Sequence, residues 1–257
     1  MDIKQYWTER AATDSSNATT NDVYMRMLER ATLVEHLRAL GCDASSRVLD
    51  AGCGDGETLF VIEDAFCGQK LVGRDYASSM IDLARGKLAS RPASGIDFAI
   101  GDVRRVAQDF GPGSFDFIMT DRCLINLSSE TEQYEAIAGI AAALRPGGFY
   151  LAIENFVEGN DRLNSLRASF GLPPIEIRWH NKFFREEDFT ARMSRLFRSA
   201  EKFDFSSSYY LATRVIYSKF CALEGKAPDY RHPIHELGVT LPPAGDFSPI
   251  KLFVLGK

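Results

Sequence analysis

Long apolar runs are missing from this 257-residue chain. No stretch approaches the ~18 consecutive apolar residues that mark a bilayer-spanning helix. The opening MDIKQYWTERAATDSS lacks the apolar core of a signal peptide. Cysteine is scarce and unpatterned: Cys42, Cys53, Cys67, Cys123 and Cys221 are odd in number, show no C-x-x-C spacing and cluster with no histidine. Neither a disulfide framework nor a structural zinc is expected, and a reducing cytoplasm fits best. Basic residues are not in excess, since 30 Lys and Arg stand against 35 Asp and Glu for a net charge of −5. A nucleic-acid partner would usually leave a basic footprint, so none is expected. Repeats and low-complexity tracts are absent as well. The remaining composition, 45% hydrophobic and 25% charged, can bury a substantial core and suits one soluble domain spanning 1–257.

Residues 1–22 are polar apart from Tyr6 and Trp7, and read as a short helix and loop. From Val23 to Leu40 apolar residues recur at helical spacing (Val23, Met27, Leu28, Ala31, Val34, Leu37, Leu40), with Gly41 placed to cap. Strand and helix then alternate. RVLDAG, KLVGRD, IDFAIGD, SFDFIMTD and GFYLAIEN read as strands. GETLFVIEDAF, SSMIDLARGKLAS and ETEQYEAIAGIAAALRPGG read as helices, the second capped by Ser78 or Ser79 and the third ended by its Pro and Gly. This rhythm predicts an α/β fold: three layers, doubly wound around a mainly parallel sheet. It fades after the fifth strand. Residues 156–185 read as a capping insertion with a helix, a Pro-Pro break and an extended piece. REEDFTARMSRLF is helical, FDFSSSYYLATRVIY passes from strand to helix, 221–249 is a Pro-rich excursion, and KLFVLGK closes as a strand.

RVLDAGCGDGET sets Gly52, Gly54 and Gly56 between a strand and a helix. Glycines there permit a tight turn and a close approach of backbone to ligand. Glu57 stands where a dinucleotide fingerprint has its third glycine. Asp50, at the strand end, would repel a pyrophosphate and attract a ligand bearing an ammonium and a sulfonium. Asp75 ends the next strand, where a carboxylate can accept from both hydroxyls of a ribose. Tyr76 and Met80 then offer flat or pliable surface to a purine. Asp102 ends the third strand and can accept from an exocyclic amine. Each acid alone could be a loop carboxylate or a helix cap; the three together, at successive strand ends, point to a nucleoside site.

In these features residues 30–155 resemble the class I S-adenosylmethionine (SAM)-dependent methyltransferases. VLDAGCGDG resembles the family's glycine loop, GRDYASSM its ribose segment and GDV its adenine segment, while FDFIMTDRCLINL and LRPGGFYLAIEN resemble its fourth and fifth strands. The resemblance implies SAM as cofactor and S-adenosylhomocysteine (SAH) as product. It places Gly52, Gly54 and Gly56 on the methionine part, Asp75 on the ribose, and Asp102 with Val103 on the adenine. Arg74 departs from the apolar residue usual before the ribose acid.

Methyl transfer from a sulfonium needs alignment and, for a hydroxyl acceptor, removal of a proton. The fourth strand ends in TDRC, not in the Asn/Asp-Pro-Pro-aromatic run that receives an amide or exocyclic amine. Cys123 lacks a preceding proline and reads as a small buried thiol. His180, in the insertion, is the first candidate for a general base. Asp121 is expected to line the cofactor's amino-acid end, and Glu154 to orient the acceptor or act as base. No metal is required. Were Mg²⁺ to bind, Asp121, Glu154 and Asn155 would offer hard oxygen ligands, an arrangement similar to catechol-type O-methyltransferases, which carry Asp in place of Glu154. Arg122 and Arg178, more than Arg162 or Arg167, are candidates to recognise a carboxylate or phosphate on the acceptor. Tyr6, Trp7 and Arg10 could belong to an N-terminal lid, residues 1–22, that excludes water over the cofactor.

The expected function is methyl transfer to oxygen or nitrogen of a small polar metabolite or sugar, by a monomer or homodimer without membrane or nucleic-acid partner. The alternatives are a methyltransferase for rRNA or protein, and a SAM-binding module without turnover.

Overall fold

In a computed structural model, residues 3–13, 20–66, 68, 70–91 and 93–257 are described. Two helices, α1 (Ile3–Thr13) and α2 (Val23–Ala39), precede the sheet. Then follow β1 (Arg47–Ala51), α3 (Glu57–Phe66), β2 (Lys70–Asp75), α4 (Ser78–Leu88), β3 (Asp97–Ile100), α5 (Val106–Phe110) and β4 (Phe115–Asp121). A 3₁₀ turn at Leu124–Asn126 leads to α6 (Glu130–Ala143), β5 (Leu144–Asn155) and α7 (Val157–Ser169). After an irregular stretch come α8 (Glu186–Leu196), β6 (Ser199–Phe203) and α9 (Ser207–Tyr210), which runs through a π-helical stretch, Leu211–Tyr217, into α10 (Ser218–Leu223). The chain ends with α11 (Ile234–Thr240) and β7 (Ile250–Gly256).

The seven strands form one sheet in the order β3-β2-β1-β4-β5-β7-β6. β1 to β5 are parallel, while β7 runs antiparallel between β5 and β6. This is the expected three-layer fold. The central strands are buried on both faces, so their sequences are nearly unbroken apolar runs. One face packs α6 and α8 through Ile137, Ile140, Phe189 and Met193. The other packs α2, α3 and α4 through Leu33, Leu37, Leu59, Ile62 and Ile81. The same burial encloses Lys251 in β7, where Asp204 and Asp246 hold its ammonium.

Several details differ from the sequence reading. The α2 stripe is rotated: Val23 and Met27 are exposed, and the buried side is Met25, Arg26, Glu29, Thr32, Leu33 and Leu37. LRPGG does not finish a helix. α6 stops at Ala143 and Leu144 is already extended, as suits a chain about to meet Pro146. Phe115 pairs with Leu144 but Phe117 pairs with Phe149, so the RPGG residues form a bulge within β5. Neither Ser78 nor Ser79 caps α4; the cap is Ala77, whose N–H donates to Asp75 Oδ1. β6 comes earlier than expected, sharing only Phe203 with the FDFSSSYY segment. Gly41 does close α2, at φ +81°. The expected N-terminal loop lies mostly outside the described residues, as does Cys67; Cys42, Cys53, Cys123 and Cys221 are free thiols. Among the described residues no helix is long and apolar enough to cross a membrane.

Candidate functional site

Beyond β1 the chain turns through Gly52 and Gly54, at φ +86° and +53°, a region that glycine enters without steric cost. A Cβ on Gly52 would lie 2.6 Å from Cys123 Cβ, and closer still to its sulfur. The N–H groups of Gly52 and Cys53 both donate to the Arg74 carbonyl, at 2.7 and 3.0 Å, which ties the loop to the end of β2. There the Asp75 carboxylate accepts from Gly54 N–H and from Ala77 N–H, each at 2.9 Å. Burial pushes this carboxyl up to about 6, against the pull of those two bonds. Each oxygen keeps a free lone pair.

A cavity of about 280 Å³ lies over this end of the sheet. One half is lined by Gly52, Gly54, Asp75, Tyr76 and Met80; the other by Asn155, Asn160, Leu163, Ile175, Arg178 and His180. Helix α1 lies over both halves. Trp7 lines the cavity and packs against the group formed by Ala77 and Met80, while the Tyr6 ring lies 4.4 Å from that of His180, tilted by 30°. Trp7 and Trp179 meet the imidazole edge-on. His180 is left 5% exposed, and its Nδ1 is buried without a hydrogen-bonding partner. Burial, with Arg178 and Arg10 nearby, lowers its pKa, so the ring is uncharged at neutral pH. A neutral imidazole without a partner is chemically able to take up a proton.

Arg26 and Glu29, from α2, were not singled out in the sequence. Arg26 lines the cavity and sits 2.7 Å from Asp121, which also lines it. Glu29 lies beneath, fully buried, and is held by Arg122 at 2.8 and 3.0 Å. Arg122 has φ +51°, and among the described residues no other non-glycine residue enters the left-handed region. Its N–H donates to the Ile153 carbonyl at 2.7 Å. Further round, Asp22 accepts from Tyr209 and Arg214, and Arg214 lies against the rings of Tyr209, Tyr210 and Tyr230. In the sequence Arg26 and Glu29 are two of five charged residues in α2, with Arg30, Glu35 and Arg38, and nothing local sets them apart.

Other expected residues are placed differently. Glu154 is fully buried and absent from the cavity lining; its oxygens accept from the N–H groups of Leu124 and Ile125 at 3.0 and 3.3 Å. It anchors the 3₁₀ turn, and burial pushes it up to about 8. Asp121, Glu154 and Asn155 therefore do not converge, and among the described residues no group of three or more His, Cys, Asp or Glu could hold a metal. Asp102 caps its own turn and grips the Arg104 guanidinium, so that it and Val103 stand outside the lining. Gly56 also stands outside: a Cβ there would meet the Phe98 ring at 2.6 Å, so its role is helix-to-sheet packing. Arg122 borders the cavity, but its guanidinium is committed to Glu29. Arg178 is exposed at the rim. Arg74 turns back along the sheet edge onto Asp97 and the Phe110 ring. Asp50 is buried, and burial with the nearby Asp121 charge pushes it up to about 8. At neutral pH it is mostly protonated, so the exclusion of pyrophosphate does not rest on its charge.

Residues 48–148 match the family described as a methyltransferase domain. That stretch holds the glycine loop, Asp75 and the first four strands. This domain belongs to the class I SAM-dependent methyltransferases. The chain is 26% identical over 119 residues to the demethylmenaquinone methyltransferase of Lactococcus lactis, covering 46% of this chain and 45% of that one. It is 24% identical over 183 residues to the protein-lysine N-methyltransferase EFM4 of Saccharomyces cerevisiae, covering 62% and 77%. Apart from that yeast protein, the chain spans about half or less of the curated relatives it matches. A Haemonchus contortus phosphoethanolamine N-methyltransferase shares the fold at TM-score 0.62 and 16% identity, with all of this chain and 60% of that one covered.

Proposed function

We propose that the protein transfers a methyl group from SAM to an oxygen or nitrogen of a small polar acceptor. The observation carrying this reading is that one cavity joins the glycine loop and Asp75 to the inserted segment bearing His180. The residues present fit SAM. Gly52 and Gly54 leave room beside the loop, the free lone pairs of Asp75 suit two ribose hydroxyls, and Tyr76 with Met80 gives a surface for the purine. Asp121 and Arg26, which now neutralise one another, can face the ammonium and carboxylate of the methionyl end. When bound, SAM supplies the methyl group and a sulfide leaving group.

The chain's own residues supply position, dryness and a proton acceptor. Tyr6 and Trp7 cover the cavity and exclude water. His180 Nδ1 can receive the proton of a hydroxyl acceptor as the new bond forms, or that of an ammonium before the freed nitrogen lone pair attacks the methyl group. The covered cavity of about 280 Å³ suits a small acceptor better than a folded protein or an RNA duplex. The free thiols fit a reducing compartment.

Calorimetric titration tests the cofactor. SAM and SAH should bind, NADH should not, and Asp75→Ala should weaken SAH at least tenfold with the far-ultraviolet spectrum unchanged. Labelled methyl should pass from SAM into the small-molecule fraction of an extract, and His180→Ala should reduce that transfer. Failure of SAM and SAH to bind the intact chain would end this reading. Label entering only protein or RNA would preserve the cofactor and overturn the acceptor class.

A further inference from the structure

Two amide side chains, Asn155 at the end of β5 and Asn160 in the first turns of α7, line the acceptor half of the cavity. Both residues are more than nine-tenths buried, at 7% and 6% exposure. Among the described residues neither side chain makes a hydrogen bond; the Asn155 carbonyl oxygen is sealed from solvent without a donor, whereas the Asn160 amide is not sealed. Buried amides are nearly always satisfied, and a sealed carbonyl oxygen without a donor, next to a second amide that lines the same cavity, marks a place where a ligand completes the bonding.

The charges around the same cavity narrow what that ligand is. Each arginine lining it below the rim already faces a carboxylate: buried Arg26 faces Asp121, and partly buried Arg122 and Arg214 face Glu29 and Asp22. Arg178 lies on the exposed rim, where Glu176 also lines the cavity. An anionic acceptor would find no buried cation to spare and would have to break an existing pair. An amide, by contrast, both donates and accepts, which suits a hydroxyl or an amine. Leu163, Ile175 and Pro249 add an apolar wall beside the amides.

We propose that Asn155 and Asn160 are the acceptor-recognition residues and that the acceptor is uncharged or cationic, carrying hydroxyl or amine groups rather than a carboxylate or phosphate. This rests on the reading of the site as a methyltransferase cavity. A rotation about the terminal torsion of Asn155 turns its carbonyl oxygen toward the ligand. A site built to bond such groups rejects analogues lacking them, because its amides are then left unpaired.

The test holds the cofactor half constant. The full chain, saturated with SAH, is titrated with four probes sharing one carbon skeleton: D-glucose, D-glucosamine, D-gluconate and glucose 6-phosphate. Glucose or glucosamine should bind at least tenfold more tightly than either anion. Asn160→Leu should lower that affinity at least tenfold and leave SAH affinity unchanged. Asn160→Ala, which suits a helix, provides the same reading should leucine disturb α7, and Asn155→Leu reports on the second amide. Tighter binding of the anions overturns the inference. So does equal binding by parent and variants, or no binding of glucose and glucosamine while SAH binds. Loss of SAH binding in the parent chain is a different failure, which removes the methyltransferase reading itself.

Discussion

Replacing Gly52 with alanine sets a methyl group against Cys123. Two costs are separable. The residue sits at φ +86°, and an L side chain held in the left-handed region costs about 1–2 kcal/mol. The added Cβ would also stand 2.6 Å from Cys123 Cβ, where carbon atoms normally rest about 3.5–4 Å apart. Overpacking of this kind costs about 1–3 kcal/mol. Gly52→Ala should therefore lose about 2–5 kcal/mol, which in a chain of this size lowers Tm by roughly 4–20 °C. Cys123 lies in the helical region at φ −88° and ψ −52°, so glycine is tolerated there. Cys123→Gly removes both atoms of the clash while the φ cost remains. The double variant should thus be more stable than the sum of the two single losses predicts, by about 1–3 kcal/mol, in urea unfolding. Losses that add to within about 0.5 kcal/mol would show that the methyl group never meets Cys123 and would refute the packing of the Gly52 turn against that side chain.

Stability should fall as pH rises from about 5 to about 8. Asp50 and Glu154 hold their protons to about 8 when folded and lose them near 4 when unfolded, so in that window the folded state binds more protons. Each extra proton bound costs about 1.4 kcal/mol per pH unit, and Glu154→Gln should flatten the slope measured by urea unfolding at several pH values; a slope unchanged in that variant would contradict the burial of Glu154. Arg122→Ala should destabilise more at pH 8.5 than at pH 6, because Glu29, raised by burial to about 7, can take up a proton only at the lower pH once its partner is gone. Equal losses at the two pH values would refute that pairing. Trp7→Ala should weaken SAH binding about tenfold in calorimetry with little change in Tm, since Trp7 covers the cavity and is only partly buried in the core.

The strands and the glycine loop were legible because their physics is local. Strands buried on both faces show apolar runs, and a turn requiring positive φ shows glycine. What was misread depends on direction in space. Glu154 and Asn155 end the same strand, and both could be assigned to the site from their position. Successive side chains in a strand point to opposite faces, so Asn155 lines the cavity while Glu154 enters the core and holds the Leu124–Asn126 turn. α2 was misread for a related reason. Its most hydrophobic stripe would bury Val23 and Met27, yet the helix is rotated so that Arg26 and Glu29 meet Asp121 and Arg122. Met25, Leu33 and Leu37 are buried along with these charges, and no periodicity within α2 announces partners more than ninety positions away.

The division of the cavity also divides what the relatives can teach. Gly52, Gly54, Asp75, Tyr76, Met80 and Asp121 all fall within residues 48–148, the stretch that matches the methyltransferase family. Asn155, Asn160, Leu163, Ile175, His180 and Arg214 all fall beyond it. Proteins named for a quinone and for a protein lysine resemble this chain at 26% and 24% identity, so a resemblance at that level does not name the acceptor. That second group lies on β5, α7, the irregular segment before α8 and the π-helical stretch carrying Arg214. Those elements are not free-standing. Asp22, at the head of α2, is gripped by Tyr209 and Arg214, while Arg26 and Glu29 on the same helix are tied to the end of β4. Helix α2 thus ties the two halves of the cavity to one another, and under the proposed function a change in those ion pairs should alter methyl transfer before it alters SAH binding.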